Sequence, residues 1–306
     1  MFSTIFHLDE QKYLKLELRV SIYGRSTNEW DTLANWFSDH EMKHPHITWM
    51  IQVPRLYNLF KKKNVVTSMS DWLRNIFEPV MEASLHPQNK PKLTELLQQV
   101  VAFDSVDDES KEPPNSGMLK NSSYHPDEWV NTKNPTYTYY LYYMYANLAS
   151  INSIRERQNM NIITFRPHCG ESGHVTHLAA GYLLADSMAH GIMLKNSPVL
   201  QYLYYLTQIG MSISPQSNNS LFLRYEKNPL PKFHQRGLNV TISTDDPLIF
   251  HLTKEPLIEE YAIAAQVWRL SQTDLCELAR KSVLQSGFSE QEKVKWLGEN
   301  YAALFI

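Results

Sequence analysis

Residues 161–173 read N-I-I-T-F-R-P-H-C-G-E-S-G. The run 161–166 is β-rich and stops at Pro167-His168. The period then changes: Val175, Leu178, Ala179 and Tyr182 fall at helical spacing. A buried-strand pattern followed by an amphipathic helix is the building unit of a parallel sheet. The unit recurs upstream, at 16–23 (LELRVSIY) ending at Gly24, 47–53 (ITWMIQV) ending at Pro54, and 100–106 (VVAFDSV) running into Asp107-Asp108-Glu109. Downstream it recurs at 187–191, at 210–214 (GMSIS) stopping at Pro215, and at 239–244 (NVTIST) stopping at Asp245-Asp246-Pro247. Leu141, Met144, Tyr145, Leu148 and Ile151 mark another helix, and 259–270 and 274–284 are rich in helix formers. No Gly-rich phosphate turn follows any strand, which favours a barrel over a doubly wound sheet. The expected fold class is therefore α/β, of the (β/α)8 TIM-barrel type. Seven strands are expected where a closed barrel has eight, so residues 1–306 read as a single catalytic barrel domain lacking its first strand. The polar stretch 110–135 is long for a connection, and such loops are lids, binding loops or disordered.

Composition narrows the function. The chain has 306 residues, 29 Lys+Arg against 32 Asp+Glu, and 12% aromatics, so neither a disordered tail nor a basic nucleic-acid footprint is expected. Two cysteines cannot build a disulfide framework. The N-terminus lacks a signal-peptide pattern, and no window holds the roughly 18 apolar residues of a membrane span. A soluble intracellular protein that binds neither nucleic acid nor membrane is expected.

In a (β/α) barrel the chemistry sits at the carboxyl ends of the strands. Those ends carry His168 with Glu171, then His190, then Asp245 with Asp246. Imidazole nitrogen and carboxylate oxygen suit zinc or a similar divalent ion, which lowers the pKa of a bound water towards about 7. Glu171 and His190 can serve as the accompanying acid and base. Each residue also has a plainer reading. His168 can be a turn residue, Asp245-Asp246-Pro247 a helix cap, and Glu171 an acid at a helix N-terminus. Convergence on one face favours the chemical reading.

Other candidates read as structural. His44 and His46 precede a strand, at the opposite end of the barrel. His174 and His177 lie on a helix, Cys169 reads as a packed thiol, the tyrosines of 139–145 as a packing stripe, and Lys61-Lys62-Lys63 as a solvated helix end.

From about residue 16 to about residue 300 the sequence resembles the AMP deaminase family, in the adenyl-deaminase branch of the zinc-dependent barrel amidohydrolases. The strings that carry the resemblance are SIYGR (21–25), FDSVDDES (103–110), YYLYYMYAN (139–147) and RPHCGESG (166–173). They continue with SPVLQYLYYL (197–206), SNNSLFL (217–223), STDDPL (243–248), EYAIAAQVW (260–268) and DLCELAR (274–280). The resemblance implies that His168 and Asp245 are zinc ligands and that Glu171 contacts the substrate and protonates the purine ring. It implies that His190 is the catalytic base, and that Asp246, Pro247, Leu248 and Ile249 bind substrate. The implied reaction is hydrolytic deamination of AMP to IMP and ammonia by a cytosolic, tetrameric homo-oligomer.

Two departures accompany it. The family usually has Gln where Ile249 stands. Its two other zinc ligands form an H-x-H pair on a strand upstream of the match to 16–23, together with a substrate-gripping segment containing Lys and Asn. Two further readings follow: an inactive truncated remnant that associates with intact subunits, and an adenosine deaminase-like enzyme, which the longer strings disfavour.

Overall fold

The computed structural model describes residues 14–111 and 124–301. The chain divides into two compact units. One comprises Leu16–His168 and Ala179–Asp186; the other holds Cys169–Leu178 and the described chain from Ser187 onward.

The first unit begins with β1 (Leu16–Ser21), α1 (Asn28–Asp39) and β2 (Ile47–Pro54). There follow α2 (Tyr57–Lys62), α3 (Met69–Leu85), α4 (Pro91–Gln99), β3 (Val100–Val106), α5 (Tyr137–Arg157) and β4 (Thr164–Phe165). Its strands form a parallel sheet in the order β1-β2-β3-β4. In β2 and β3 most residues are buried, the rest are half-buried and none is exposed, as fits a sheet covered on both faces. Helix α3 starts where the Ser68 side chain accepts from the Asp71 N–H, and it buries Trp72, Ile76, Phe77 and Val80. Phe77 stacks on Phe103 of β3 with ring centroids 5.7 Å apart, and Trp72 donates to the Tyr23 carbonyl. Each such side chain stabilises the core by roughly 1.5–3 kcal/mol. Gly24 is required here: it has φ +76°, and a Cβ would meet the Trp72 indole nitrogen at 2.7 Å.

After β5 (His168–Cys169), which crosses the division, come α6 (Thr176–Leu184), β6 (Ser187–His190), α7 (Pro198–Thr207), β7 (Gly210–Ile213) and α8 (Pro215–Leu221). The chain continues with α9 (Leu230–Gln235), β8 (Val240–Ile242), α10 (Pro247–Phe250), α11 (Pro256–Gln266), α12 (Gln272–Gln285) and α13 (Glu290–Leu297). A second sheet has the order β5-β6-β7-β8, with β6, β7 and β8 parallel. Five helices of this region (α7, α8, α9, α10 and α11) carry proline in their first turn, where its missing N–H costs nothing. Helix α12 opens on a complete capping box between Ser271 and Asp274.

The alternation of strand and helix, and the parallel sheets, are those the sequence predicts. The strand count differs: eight strands are assigned among the described residues, against the seven expected. The expected fourth strand, 161–166, is observed as β4 and stops before Pro167, and the additional strand is β5 just beyond it. Proline offers no ladder donor, and the His168 N–H turns aside to the Asp104 carboxylate at 2.9 Å. Residues 112–123 of the long polar stretch lie outside the described residues. Among the described residues no helix is long and apolar enough to cross a membrane.

Candidate active site

In the first unit the predicted ligand His168 is buried and held by one side chain. Its Nδ1 and its backbone N–H both lie 2.9 Å from Oδ1 of Asp104. Asp104 is fully buried inside β3, and its Oδ2 accepts from the Arg19 guanidinium at 2.7 Å. Burial pushes this carboxyl up, but the His168 ring and Arg19 pull it down further, and the balance holds it below the usual carboxylate range. An ionised carboxylate only accepts, so Nδ1 of His168 carries the proton and Nε2 offers a lone pair. The Tyr137 hydroxyl donates to the His168 carbonyl, and Arg166 beside it pairs with Glu17 at 2.8 Å. The same unit has a cavity of about 840 Å³ at the carboxyl ends of β2 and β3, where Arg55 pairs with Asp107 at 2.7 Å.

His44 and His46 stand at the start of β2, whereas Asp104 is in register with Gln52 near its end. Their rings pack edge to face, 5.2 Å apart. The sequence places them at the end opposite the chemistry, and within this unit they lie there.

In the second unit, Glu171, His190 and Asp245 gather around the short helix α8. Asn218 Nδ2 lies 3.0 Å from Glu171 Oε1 and 3.1 Å from His190 Nδ1. Ser217 donates to Asp245 Oδ2 at 2.6 Å. A ring nitrogen of His190 and a carboxylate oxygen of Asp245 lie within 4.8 Å of each other. Both residues adopt left-handed backbone conformations, with φ 71° at His190 and 53° at Asp245. Such conformations cost of order 1–3 kcal/mol and cluster where a side chain must be aimed. Gly191, also left-handed at φ +68°, follows His190; a Cβ there would meet the Met211 sulfur at 2.7 Å.

The remaining predicted positions lie on α10. Asp246 is its N-cap residue, though no side-chain cap bond is made, so the capping reading of Asp245-Asp246-Pro247 holds in position only. Pro247, Leu248 and Ile249 form its first turn, with Leu248 75% and Ile249 72% exposed. Behind this turn a buried pair anchors the chain: His251 Nε2 lies 2.9 Å from Glu260 Oε1, and Glu260 Oε2 accepts from the Gln216 N–H at 3.1 Å. Burial raises the Glu260 carboxyl to about 8. Cys169 is buried with its thiol on the His177 carbonyl, as a packed thiol would be. Asp104, Ser217, Asn218 and Glu260 escaped the sequence reading. For Asp104 a signal existed, an acid inside an apolar strand, since a buried charge demands partners.

The AMP deaminase family model matches residues 2–304. The chain belongs to the AMP deaminase family. It is 55% identical over 295 residues to AMP deaminase 1 of Homo sapiens, a match covering 96% of this chain and 39% of that protein. The chain thus spans about two-fifths of the length of that curated relative. Among solved structures, the ADAL-IMP complex superposes with TM-score 0.57 at 13% identity, over 98% of this chain and 76% of that one. An amidohydrolase from Burkhoderia ambifaria with bound Zn matches with TM-score 0.50 at 11% identity, over 92% and 74%. These two likenesses concern the fold.

Proposed function

We propose that this chain carries the acid, the proton-handling imidazole and two metal donors of an AMP deaminase, and that the reaction served is AMP and water to IMP and ammonia. The observation that carries this reading is the 55% identity to human AMP deaminase 1 over 96% of this chain. Within the second unit, Glu171, His190 and Asp245 are held around one helix, as the reading requires.

The donors fit a divalent ion. His168 offers Nε2 because Asp104 occupies its Nδ1, and Asp245 offers a carboxylate steadied by Ser217. In this reading, as the family resemblance implies, His168 and Asp245 would each be a zinc donor, zinc being the ion bound by the Burkhoderia amidohydrolase. When bound, zinc supplies the acidity that makes hydroxide available at neutral pH. Glu171 protonates the ring nitrogen beside the attacked carbon, which prepares the amino group to leave as ammonia. His190 orients the attacking oxygen and exchanges its proton. Asp246, Pro247, Leu248 and Ile249 line the base. The chain belongs to a single catalytic barrel domain, of which it lacks the N-terminal strand, in a cytosolic homo-tetramer, a setting supported by the family resemblance.

The test is ammonia release from AMP and from adenosine by the zinc-supplied protein. Release from AMP in preference to adenosine, abolished by Glu171→Gln, supports the reading. Release from neither, or chiefly from adenosine, overturns it.

A further inference from the structure

Side chains alternate across a strand, so Glu17, Arg19 and Ser21 of β1 share one face of the first unit's sheet. Register carries that face onward. Ser21 pairs with Gln52 and Gln52 with Asp104, and Arg166 follows Phe165 as Asp104 follows its partner Phe103. On a flat sheet, three strand spacings or about 14 Å would separate β1 from β4, with the side chains standing upright. Yet Arg166 donates to both carboxylate oxygens of Glu17, at 2.8 and 3.0 Å. The Nε of Arg19 likewise reaches past β2 to Asp104 on β3, at 2.7 Å. The sheet is therefore curled, and its concave face brings β1 over the turn that leads to His168.

The holds on that turn converge on one carboxylate. The Arg166 N–H donates to the Phe103 carbonyl at 2.8 Å, and Pro167 after it has no N–H to give. The backbone N–H and ring Nδ1 of His168 then both rest on Oδ1 of Asp104, each at 2.9 Å. A carboxylate can rotate about the bond to its own side chain, and rotation would spoil both contacts together. Arg19 occupies Oδ2, so the plane of the carboxylate is pinned at its other oxygen. The Asp104 side chain is fully buried, whereas that of Arg19 keeps 29% of its surface exposed.

We propose that Arg19 is a positioning residue for His168: by donating from Nε to Oδ2, it sets the plane of the Asp104 carboxylate and so the direction of the His168 ring. The role lies in where the donor stands and not in the charge it brings. Glu17, gripping Arg166, keeps β1 over the same turn. The aim of the ring stands on this geometry alone. Its consequence, that Arg19 tunes a metal donor from two side chains away, rests on the deaminase reading.

Two neutral substitutions separate the donor from the charge. In Arg19→Gln the side-chain NH2 stands where Nε stood; in Arg19→Met a methyl group stands there, on a chain of the same length. The test is exchange of the His168 Nδ1–H with water, followed by 15N-edited NMR of the full chain and assigned by its loss in His168→Gln. The backbone N–H of Ile51, in the middle of β2, reports the stability of the sheet itself. In Arg19→Met the ring N–H should exchange faster by about tenfold or more, with Ile51 unmoved, while Arg19→Gln stays near the parent. Arg19→Ala takes the place of Arg19→Met if the latter does not fold. Equal ring exchange in the donor-free variant and the parent overturns the proposal. So does a Gln variant as fast as the Met variant, or an Ile51 that accelerates in step with the ring. Zinc affinity by calorimetry reads the consequence: it should fall by up to about tenfold in Arg19→Met and not in Arg19→Gln. Ring exchange as expected, in a chain that binds no zinc or binds it equally in both variants, counts against His168 as a metal donor and not against its positioning.

Discussion

His168 and His190 are both buried imidazoles at the end of a predicted strand, yet their Nδ1 atoms meet opposite partners. The carboxylate of Asp104 faces one, and the amide of Asn218 faces the other. The difference teaches that residue type and position along a strand end do not settle what a buried imidazole meets. The side chain packed against its Nδ1 does so, and in the proposed reading that is what sets a metal donor apart from a proton-handling group.

Removing the partner on each side should therefore hurt unequally. Asp104→Ala deletes the acceptor of three bonds, two of them from the buried His168. Each bond to a charged acceptor lost at that buried residue costs about 1.5–3 kcal/mol, read as a lower midpoint in urea unfolding. Asp104→Asn keeps the shape but weakens the hold on Nδ1. Zinc affinity by calorimetry should fall about 10–100-fold, the usual effect of losing such a partner. Equal stability of Asp104→Ala and the parent would break the comparison at its stronger end.

Asn218→Ala removes neutral bonds to Glu171 and His190. The cost should be smaller, about 1–3 kcal/mol, since the groups left behind are buried but the lost donor carried no charge. If Asn218→Ala destabilises as much as Asp104→Ala, the second cluster is tied as tightly as the first.

Two carboxyls sharpen the contrast. Asp104 and Glu260 are both fully buried, but Asp104 faces cationic partners and is held low, while Glu260 is raised to about 8. Burial dominates at Glu260, with Glu259 and Asp245 adding to it and the Gln216 N–H opposing. The folded protein then keeps a proton that the unfolded chain, at an ordinary value of 4.5, has already released. Stability must fall as pH rises, by up to about 1.4 kcal/mol per unit. His251 works against this at lower pH: burial holds it below its ordinary 6.5, so the unfolded chain takes up its proton first and stability there rises with pH. The net loss should show between about pH 6.5 and 8, and Glu260→Gln should flatten it. A parent protein whose unfolding free energy is level across that window would refute the assignment.

Much of this is legible in the sequence. Glu171 and Asp245 come just after strands and His190 closes one, and the Pro, Gly or Asp that stops each strand carries the signal. His168 is legible for the same reason, although the short strand it opens beyond Pro167 is not. Asp104 lies 64 residues from His168, a separation that periodicity cannot bridge. Asn218 sits in a polar stretch where Asn reads as turn chemistry, so its contacts with Glu171 and His190 leave no local mark. Sequence patterns disclose which elements exist and where they stop. They do not disclose which side chains cross between elements.

The smallest effect belongs to the exposed end of the second cluster. Ile249 stands where the resembling family has Gln, and it is 72% exposed on the first turn of α10. A polar side chain there loses no buried contact, so Ile249→Gln should change stability by less than about 0.5 kcal/mol. If α10 lines the base of AMP, the new amide adds one hydrogen bond to substrate. One such bond is worth about 0.5–1.5 kcal/mol, which corresponds to a KM for AMP lower by about two- to tenfold with kcat unchanged. A changed kcat at constant KM would place Ile249 beside the reacting atoms instead, and no change in either would remove α10 from the substrate's surroundings. Because the fold is indifferent to this position, whatever moves belongs to the site and not to stability.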